Sequence, residues 1–305
     1  MIENTVWKEI EAFAAEGAFL YNEPLRDHTT FRVGGEADAF LSVQSGDELK
    51  KVLLLCKAQQ IPYFVLGNGS NLLVSDKGFR GLIISIGNYM SEIKIEGKRI
   101  YVEAGALLGQ VAQAAAKNGL TGMEFAAGIP GTVGGAIVMN AGAYDGEMKQ
   151  IVETVTVMTP EGEIRNFTGA EMEFGYRTSR LKREPGIVLS VTLLLKEGRM
   201  TEIREKMSDF ALRRREKQPL EYPSAGSTFK RPEGMFAGKL IMDAGLRGYT
   251  VGGAQVSDKH CGFVINKDGA TAEDINTLIK DVQEKVEEKF GVYLEPEVIF
   301  VGDFR

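Results

Sequence analysis

Apolar positions along the chain recur with two different spacings. From Asp47 to Gln59, Leu49, Val52, Leu53 and Cys56 return at helical intervals and predict an amphipathic helix. Leu108, Val111, Ala112 and Ala115 form a second stripe, which Asn118-Gly119 ends. Thr201–Lys217 turns Ile203, Met207 and Phe210 inward and finishes in the basic run Arg213-Arg214-Arg215. The clearest stripe is Ile275, Leu278, Ile279, Val282 and Val286 within Ala272–Phe290. Thr271 is placed to cap this helix, Glu273 and Asp274 suit its N-terminal dipole, and Gly291 stops it. Tyr63–Leu66, Leu72–Val74, Leu82–Ile86, Val152–Met158 and Val188–Leu194 are short apolar runs, and they predict strands. Ile93–Ile95 and Ile100–Val102 flank Glu96-Gly97-Lys98-Arg99 as a hairpin. The stretch from Gly122 to Gly142 holds six glycines and follows no single period.

Together these elements predict an α+β chain in three parts. An N-terminal α/β subdomain covers 1–66, a glycine-rich subdomain 67–197, and a C-terminal α+β domain 198–305. A chain of 305 residues suits that division at ~100–200 residues per domain or fewer. With 44% hydrophobic and 26% charged residues, a globular core is assured. The net charge of −6 works against a polyanionic partner, so no nucleic acid is expected, whereas a small anion needs only a local positive pocket. Cys56 and Cys261 match no CxxC spacing, and His28 and His260 form no metal pair, so neither a disulfide framework nor a metal site is expected. Charges at Glu3, Lys8, Glu9, Glu11 and Glu16 leave no room for a secretory signal, and the apolar runs are too short to span a bilayer. The expected location is the cytoplasm, with no membrane partner.

Glycine changes the picture: it supplies 36 of 305 residues against a usual ~7%, and proline only 9. Val65–Val74 reads as strand, polar glycine turn, strand. Gly67, Asn68, Gly69, Ser70 and Asn71 in that turn can aim successive amides at one point, as an anion nest for a phosphate or diphosphate. A plain tight hairpin fits the same residues. A second segment, Ala127–Tyr144, interleaves glycines with small apolar residues and suits backbone lying against a flat ligand, or else a set of bulges and packed turns. A phosphate loop is absent, because Gly234–Lys239 is one residue short and is followed by Leu240. No GxGxxG follows a strand and opens a helix.

The two glycine segments, in this order, resemble the flavin-binding fold of the vanillyl-alcohol-oxidase and p-cresol-methylhydroxylase (PCMH/VAO) superfamily. The closer resemblance is to its cell-wall branch, the UDP-N-acetylenolpyruvoylglucosamine reductases (UDP-N-acetylmuramate dehydrogenases). It runs from His28–Gly35 through Gly67–Asp76, Gly128–Tyr144 and Phe174–Ser179 to Ser224–Lys230 and Leu294–Val298. The chain is similar to the shorter members, with no room between Arg177 and Ser227 for an extra substrate-covering loop. The resemblance implies an α+β fold with a two-part FAD-binding region and a C-terminal substrate-binding domain. It implies noncovalent FAD, NADPH as reductant, and reduction of an enolpyruvyl nucleotide sugar in peptidoglycan precursor synthesis.

What the resemblance implies for single residues can be set beside their bland readings. Arg177 is the catalytic arginine, or a salt-bridge partner of Glu173. Ser227 is the proton donor, or a turn serine beside Gly226. Glu297 is an acid that hydrogen-bonds the developing enediolate, or a strand-end carboxylate. Cofactor contacts fall to Gly67, Asn68, Gly69, Ser70, Asn71, Ile129, Gly131, Gly134, Gly135, Asn140 and Gly142. Tyr144 contacts substrate or stacks in the core, and Lys230 shares the work of Ser227. Arg213 and Lys217, four apart on one helical face, suit a diphosphate, or form a solvated helix end. Two rival functions remain at this point: another FAD oxidoreductase of the same fold, such as a sugar or alcohol oxidase, and a noncatalytic nucleotide-sugar-binding module.

Overall fold

The computed structural model describes residues 4–305. The chain builds two compact units, and it passes between them more than once. Unit 1 holds the chain up to Tyr21, then Ala39–Asn68 and Gly81–Arg213; unit 2 holds Asn22–Asp38, Gly69–Arg80 and Arg214–Arg305. Seven α-helices are found among the described residues: α1 (Asn4–Glu11), α2 (Gly46–Ala58), α3 (Leu108–Lys117), α4 (Val133–Met139), α5 (Met200–Lys217), α6 (Ala237–Asp243) and α7 (Ala272–Phe290).

In unit 1, α2 buries Leu49, Val52, Leu53 and Cys56, and Ser45 caps it by accepting the Glu48 N–H at 3.2 Å. Burial pushes the Cys56 thiol up to about 12. The main sheet is five-stranded and antiparallel, in the order Ile164–Thr168, Val152–Met158, Ile187–Leu194, Arg99–Glu103, Ile93–Glu96. The hairpin of Ile93–Glu96 and Arg99–Glu103 forms as expected, with Glu96 opposite Arg99. Several elements went unforeseen, two of them in this unit for a clear physical reason. Ile164–Thr168 is an edge strand whose side chains are almost all exposed, so no apolar alternation marks it. Helix α4 lies inside the glycine-rich segment, where two glycines in its first turn conceal its buried residues Val133, Ala136 and Ile137.

In unit 2, α7 packs Ile275, Leu278, Ile279, Val282 and Val286 with Phe31, Val33 and Leu73 in one core. Thr271 and Asp274 cap one another's backbone in a capping box, and Gly291 ends the helix at φ +65°. Asp76 adds a cap from distant sequence, its two carboxylate oxygens accepting the N–H groups of Ala272 (2.9 Å) and Glu273 (3.0 Å). An antiparallel sheet of Thr250–Val251, Ala254–Val256 and Val264–Asn266 lies in the same unit. Leu72–Val74 pairs parallel with Ile299–Val301. Tyr63–Leu66 pairs parallel with Leu82–Ser85 in unit 1. The glycine turn between Leu66 and Leu72 is therefore no hairpin, because each flanking strand has a different partner.

Candidate active site

In unit 1 the two glycine segments meet. The Asn68 amide donates to the Pro130 carbonyl at 2.9 Å, and a Cβ on Gly67 would overlap the Thr132 hydroxyl. That hydroxyl caps α4 by accepting the Gly135 N–H at 3.5 Å. The first amides of the helix are already taken, Val133 N–H by Ala106 O (2.9 Å) and Gly134 N–H by Ala104 O (2.8 Å). Gly131 carries its carbonyl to Leu108 N–H at 2.9 Å, and Ile129 packs half-buried on the core. Gly135 differs from these: it is exposed, and a Cβ built there would meet nothing nearer than the Thr132 hydroxyl at 3.7 Å. Packing within the chain gives no reason for a glycine at that position.

Past α4, Asn140 is buried with its side-chain amide bonded wholly to protein, and Gly142 pairs with Glu147 in a two-stranded ribbon. Tyr144 stacks on Phe210 with ring centroids 4.4 Å apart and an interplanar angle of 9°, and its hydroxyl donates to Phe210 O at 3.2 Å. Phe210, on the inward face that the helical periodicity predicts, is thus half-buried against Tyr144. Arg177 sits in a tight turn closed by Gly175 and Thr178, at φ +54°, with both Nη atoms 3.4 Å from Gly142 O. Its guanidinium lies over the Tyr176 ring at 5.5 Å. Glu173, the proposed salt-bridge alternative, is engaged by Arg183 and lies 4.0 Å from Arg180. On α5, Arg213 pairs with Asp209 at 2.8 Å.

Unit 2 brings together residues about 70 positions apart. An isolated antiparallel bridge joins Phe229 to Pro296, with Glu297 N–H donating to Thr228 O and Lys230 N–H to Glu295 O, both at 2.8 Å. Ser227 and Glu297 therefore lie on paired segments, both half-buried. The Ser227 segment is anchored from behind by Thr228, whose N–H reaches Gly262 O and whose hydroxyl accepts Val264 N–H, each at 2.9 Å. Lys230 is held by Glu295, Nζ to Oε1 at 2.5 Å. Asn71 donates its side-chain amide to the Glu297 carbonyl at 3.0 Å, so the glycine turn also fixes the strand end that carries Glu297. Gly69, at φ +60°, passes so close to the His28 carbonyl that any Cβ would collide with it. The N–H groups of Gly69, Ser70 and Asn71 donate to no acceptor among the described residues. Burial lowers the imidazole of His260, and the charge of Lys217 lowers it further.

In unit 2, the successive undonated amides at 69–71 suit an anionic group such as a diphosphate. In unit 1, the exposed Gly135 in α4 suits the close approach of a flat ligand to the backbone. No group of three or more His, Cys, Asp or Glu side chains that could hold a metal ion is found among the described residues. No helix among them is long and apolar enough to cross a membrane.

Comparison with known proteins agrees with this geometry. A family model described as an FAD binding domain matches residues 37–168, and one described as the C-terminal domain of UDP-N-acetylenolpyruvoylglucosamine reductase matches 218–301. A UDP-N-acetylenolpyruvoylglucosamine reductase from Agathobacter rectalis is 50% identical, over 99% of this chain and 100% of its own length. The crystal structure of such a reductase (MurB) from Thermus caldophilus superposes with a TM-score of 0.80 at 39% identity, over 93% of this chain and 98% of that one. A glucose dehydrogenase, Phl p 4.0202, shares the fold alone, with a TM-score of 0.50 at 12% identity over 65% of this chain and 45% of that one. The expected α+β class, an FAD-binding part followed by a C-terminal domain, is thereby established. This chain belongs to the UDP-N-acetylenolpyruvoylglucosamine reductase family.

Proposed function

We propose that the chain catalyses NADPH-dependent reduction of UDP-N-acetylglucosamine enolpyruvate to UDP-N-acetylmuramate, in peptidoglycan precursor synthesis in the cytoplasm. The observation that carries this reading is the pairing of the Ser227 and Glu297 segments across the Phe229–Pro296 bridge, 67 positions apart in sequence. In a family of this kind, one acid and one proton donor fixed together are what addition to a conjugated double bond requires. FAD, bound noncovalently, supplies the chemistry that carries hydride from NADPH to the terminal methylene carbon of the enolpyruvyl group.

The chain's own residues manage the charge and the proton. Addition drives negative charge onto a group that already carries a carboxylate. Arg177 offers a guanidinium that stays charged and can fork onto that carboxylate, a stabilisation commonly worth ~3–4 kcal/mol. Ser227 gives its hydroxyl proton to the neighbouring carbon, a general-acid step worth ~10²–10⁴-fold. Glu297, when protonated, donates a hydrogen bond to the developing enediolate. Lys230, held by Glu295 and three residues from Ser227, shares the work of the donor serine. Arg213 and Lys217 receive the diphosphate, and Tyr144 contacts the sugar nucleotide. Cofactor contacts come from the backbone of Gly67, Asn68, Gly69, Ser70 and Asn71 and from Ile129, Gly131, Gly134, Gly135 and Gly142. Residues 198–305 provide most of the substrate-binding surface, in keeping with the match at 218–301. The partner is a small nucleotide sugar; neither nucleic acid nor membrane enters this reading.

An anaerobic visible spectrum tests the whole reading. Purified protein is expected to show a flavin spectrum that NADPH bleaches and that UDP-N-acetylglucosamine enolpyruvate restores. Recovery only on admitting oxygen would defeat the substrate assignment in favour of an oxidase. A colourless protein that takes up no FAD would defeat the cofactor site.

A further inference from the structure

Asn140 terminates α4 with its backbone in the left-handed region (φ +45°) and its side chain buried, at 1% exposure. Its amide makes three bonds. Nδ2 donates to Glu147 Oε2 and to Gly175 O, each at 3.0 Å, and Oδ1 accepts Lys149 N–H at 2.9 Å. The orientation of the amide is forced, because a carboxylate and a carbonyl beside it accept while a backbone N–H donates. The same helix end makes a second tie: wholly buried Ser179 donates its hydroxyl to Val138 O at 2.9 Å.

Gly175 and Ser179 bracket the turn that carries Arg177. The turn is closed by reciprocal backbone bonds between Gly175 and Thr178, at 3.1 and 3.3 Å, and Arg177 lies inside it at φ +54°. A non-glycine residue there costs of order 1 kcal/mol and persists only where its surroundings hold it. The guanidinium then reaches back to Gly142 O, two residues beyond Asn140. The C-terminus of α4 thus grips both ends of the turn as well as the strand that its arginine touches.

We propose that Asn140 is a positioning residue for Arg177: its amide fixes the Gly175 carbonyl, and through it the direction of the guanidinium. The sequence resemblance places Asn140 among the cofactor contacts, yet the side chain is fully committed to protein partners. This inference rests on the role given to Arg177 above. Asparagine meets both requirements of the position, since it tolerates the left-handed backbone and presents two donors to two acceptors. Glycine keeps the first and loses the second. Aspartate keeps one bond but sets a carboxylate against the Glu147 carboxylate and the Gly175 carbonyl.

The test measures both half-reactions of the FAD-loaded, full-length protein for Asn140→Gly, Asn140→Asp, Ser179→Ala and Arg177→Lys. Asn140→Gly is expected to retain FAD and to be reduced by NADPH at the wild-type rate. Its reoxidation by the enolpyruvyl substrate should slow about 10²-fold, the scale of a misplacement near 1 Å, with the loss in kcat rather than KM. Asn140→Asp should be slower still, and Ser179→Ala should show a smaller defect on the same side. Ser179→Ala reads the clamp from its other end should an Asn140 variant not fold. Loss of FAD, or equal slowing of both half-reactions, would make Asn140 a fold or cofactor residue and overturn the proposal. So would wild-type reoxidation in Asn140→Gly while Arg177→Lys is slow. Wild-type reoxidation in Arg177→Lys would instead remove the role of Arg177 itself, and the proposal with it.

Discussion

Gly67 and Gly135 are glycine for opposite reasons. At Gly67 a side chain would strike the Thr132 hydroxyl, so the fold demands the glycine. At Gly135 a methyl group has room, and in the first turn of a helix alanine would be favoured by ~1 kcal/mol. Gly135→Ala is therefore expected to raise the melting temperature of the FAD-free protein while weakening FAD binding. Unchanged affinity in a flavin titration would take Gly135 out of the cofactor surface. At Ser227 the prediction separates chemistry from structure. Ser227→Ala should leave NADPH-driven flavin reduction near wild type and slow reoxidation by substrate ~10²–10⁴-fold in stopped-flow measurements. Equal losses in both half-reactions would mean that the hydroxyl serves the turn beside Gly226 instead.

Among the elements, α7 owes its sharp start to several caps acting on one turn. Thr271 accepts the Asp274 N–H at 3.0 Å, Asp274 accepts the Thr271 N–H at 2.9 Å, and Asp76 takes the next two amides. Thr271→Ala should cost ~1 kcal/mol, measured by denaturant unfolding, and a change below ~0.3 kcal/mol would show that Asp76 suffices alone. The Asp274 carboxyl is held below its usual range, first by the Thr271 N–H and also by the Gly253 N–H and the Thr271 hydroxyl. Because its folded pKa is lowered, the unfolded chain binds the proton more readily. The stabilisation is thus complete above about pH 4 and is lost as the pH falls through the folded value. Asp274→Asn should flatten the dependence of the melting temperature on pH below about pH 4. A slope equal to that of the wild type would assign the acid sensitivity to other carboxylates. Helix α4 is the contrasting element: short, glycine-rich and without a visible apolar stripe, it is held by bonds to Ala104 and Ala106 rather than by its own propensity.

For the molecule as a whole, unit 2 is assembled from stretches on either side of unit 1 segments in the sequence. Its core includes Phe31, Val33 and Leu73, and the strand Ile299–Val301 pairs with Leu72–Val74. A fragment comprising 214–305 alone would keep α7 and its stripe yet lack these partners. It is expected to retain helix by far-ultraviolet circular dichroism without a cooperative thermal transition. A sharp transition in that fragment would mean that the C-terminal stretch folds independently of residues 22–38 and 69–80.

The sequence by itself determined the elements whose side chains alternate between core and water. The stripes of α2, α3, α5 and α7, the inner strands of the five-stranded sheet, and the Thr271 and Gly291 caps are all local, and periodicity or capping chemistry reports them. It also marked Gly67–Asn71, Ala127–Tyr144, Arg177, Ser227 and Glu297 as unusual, because glycine density and ordered motifs survive without coordinates. Only tertiary structure decided what these segments touch. Bonds such as Asn68 to Pro130, Asn71 to Glu297 and Asn140 to Gly175 join positions 35 to 226 residues apart. An asparagine that saturates a distant carbonyl and one that faces a ligand have the same local sequence. Their difference lies in which acceptor the folded backbone brings within 3 Å, and no periodicity encodes that.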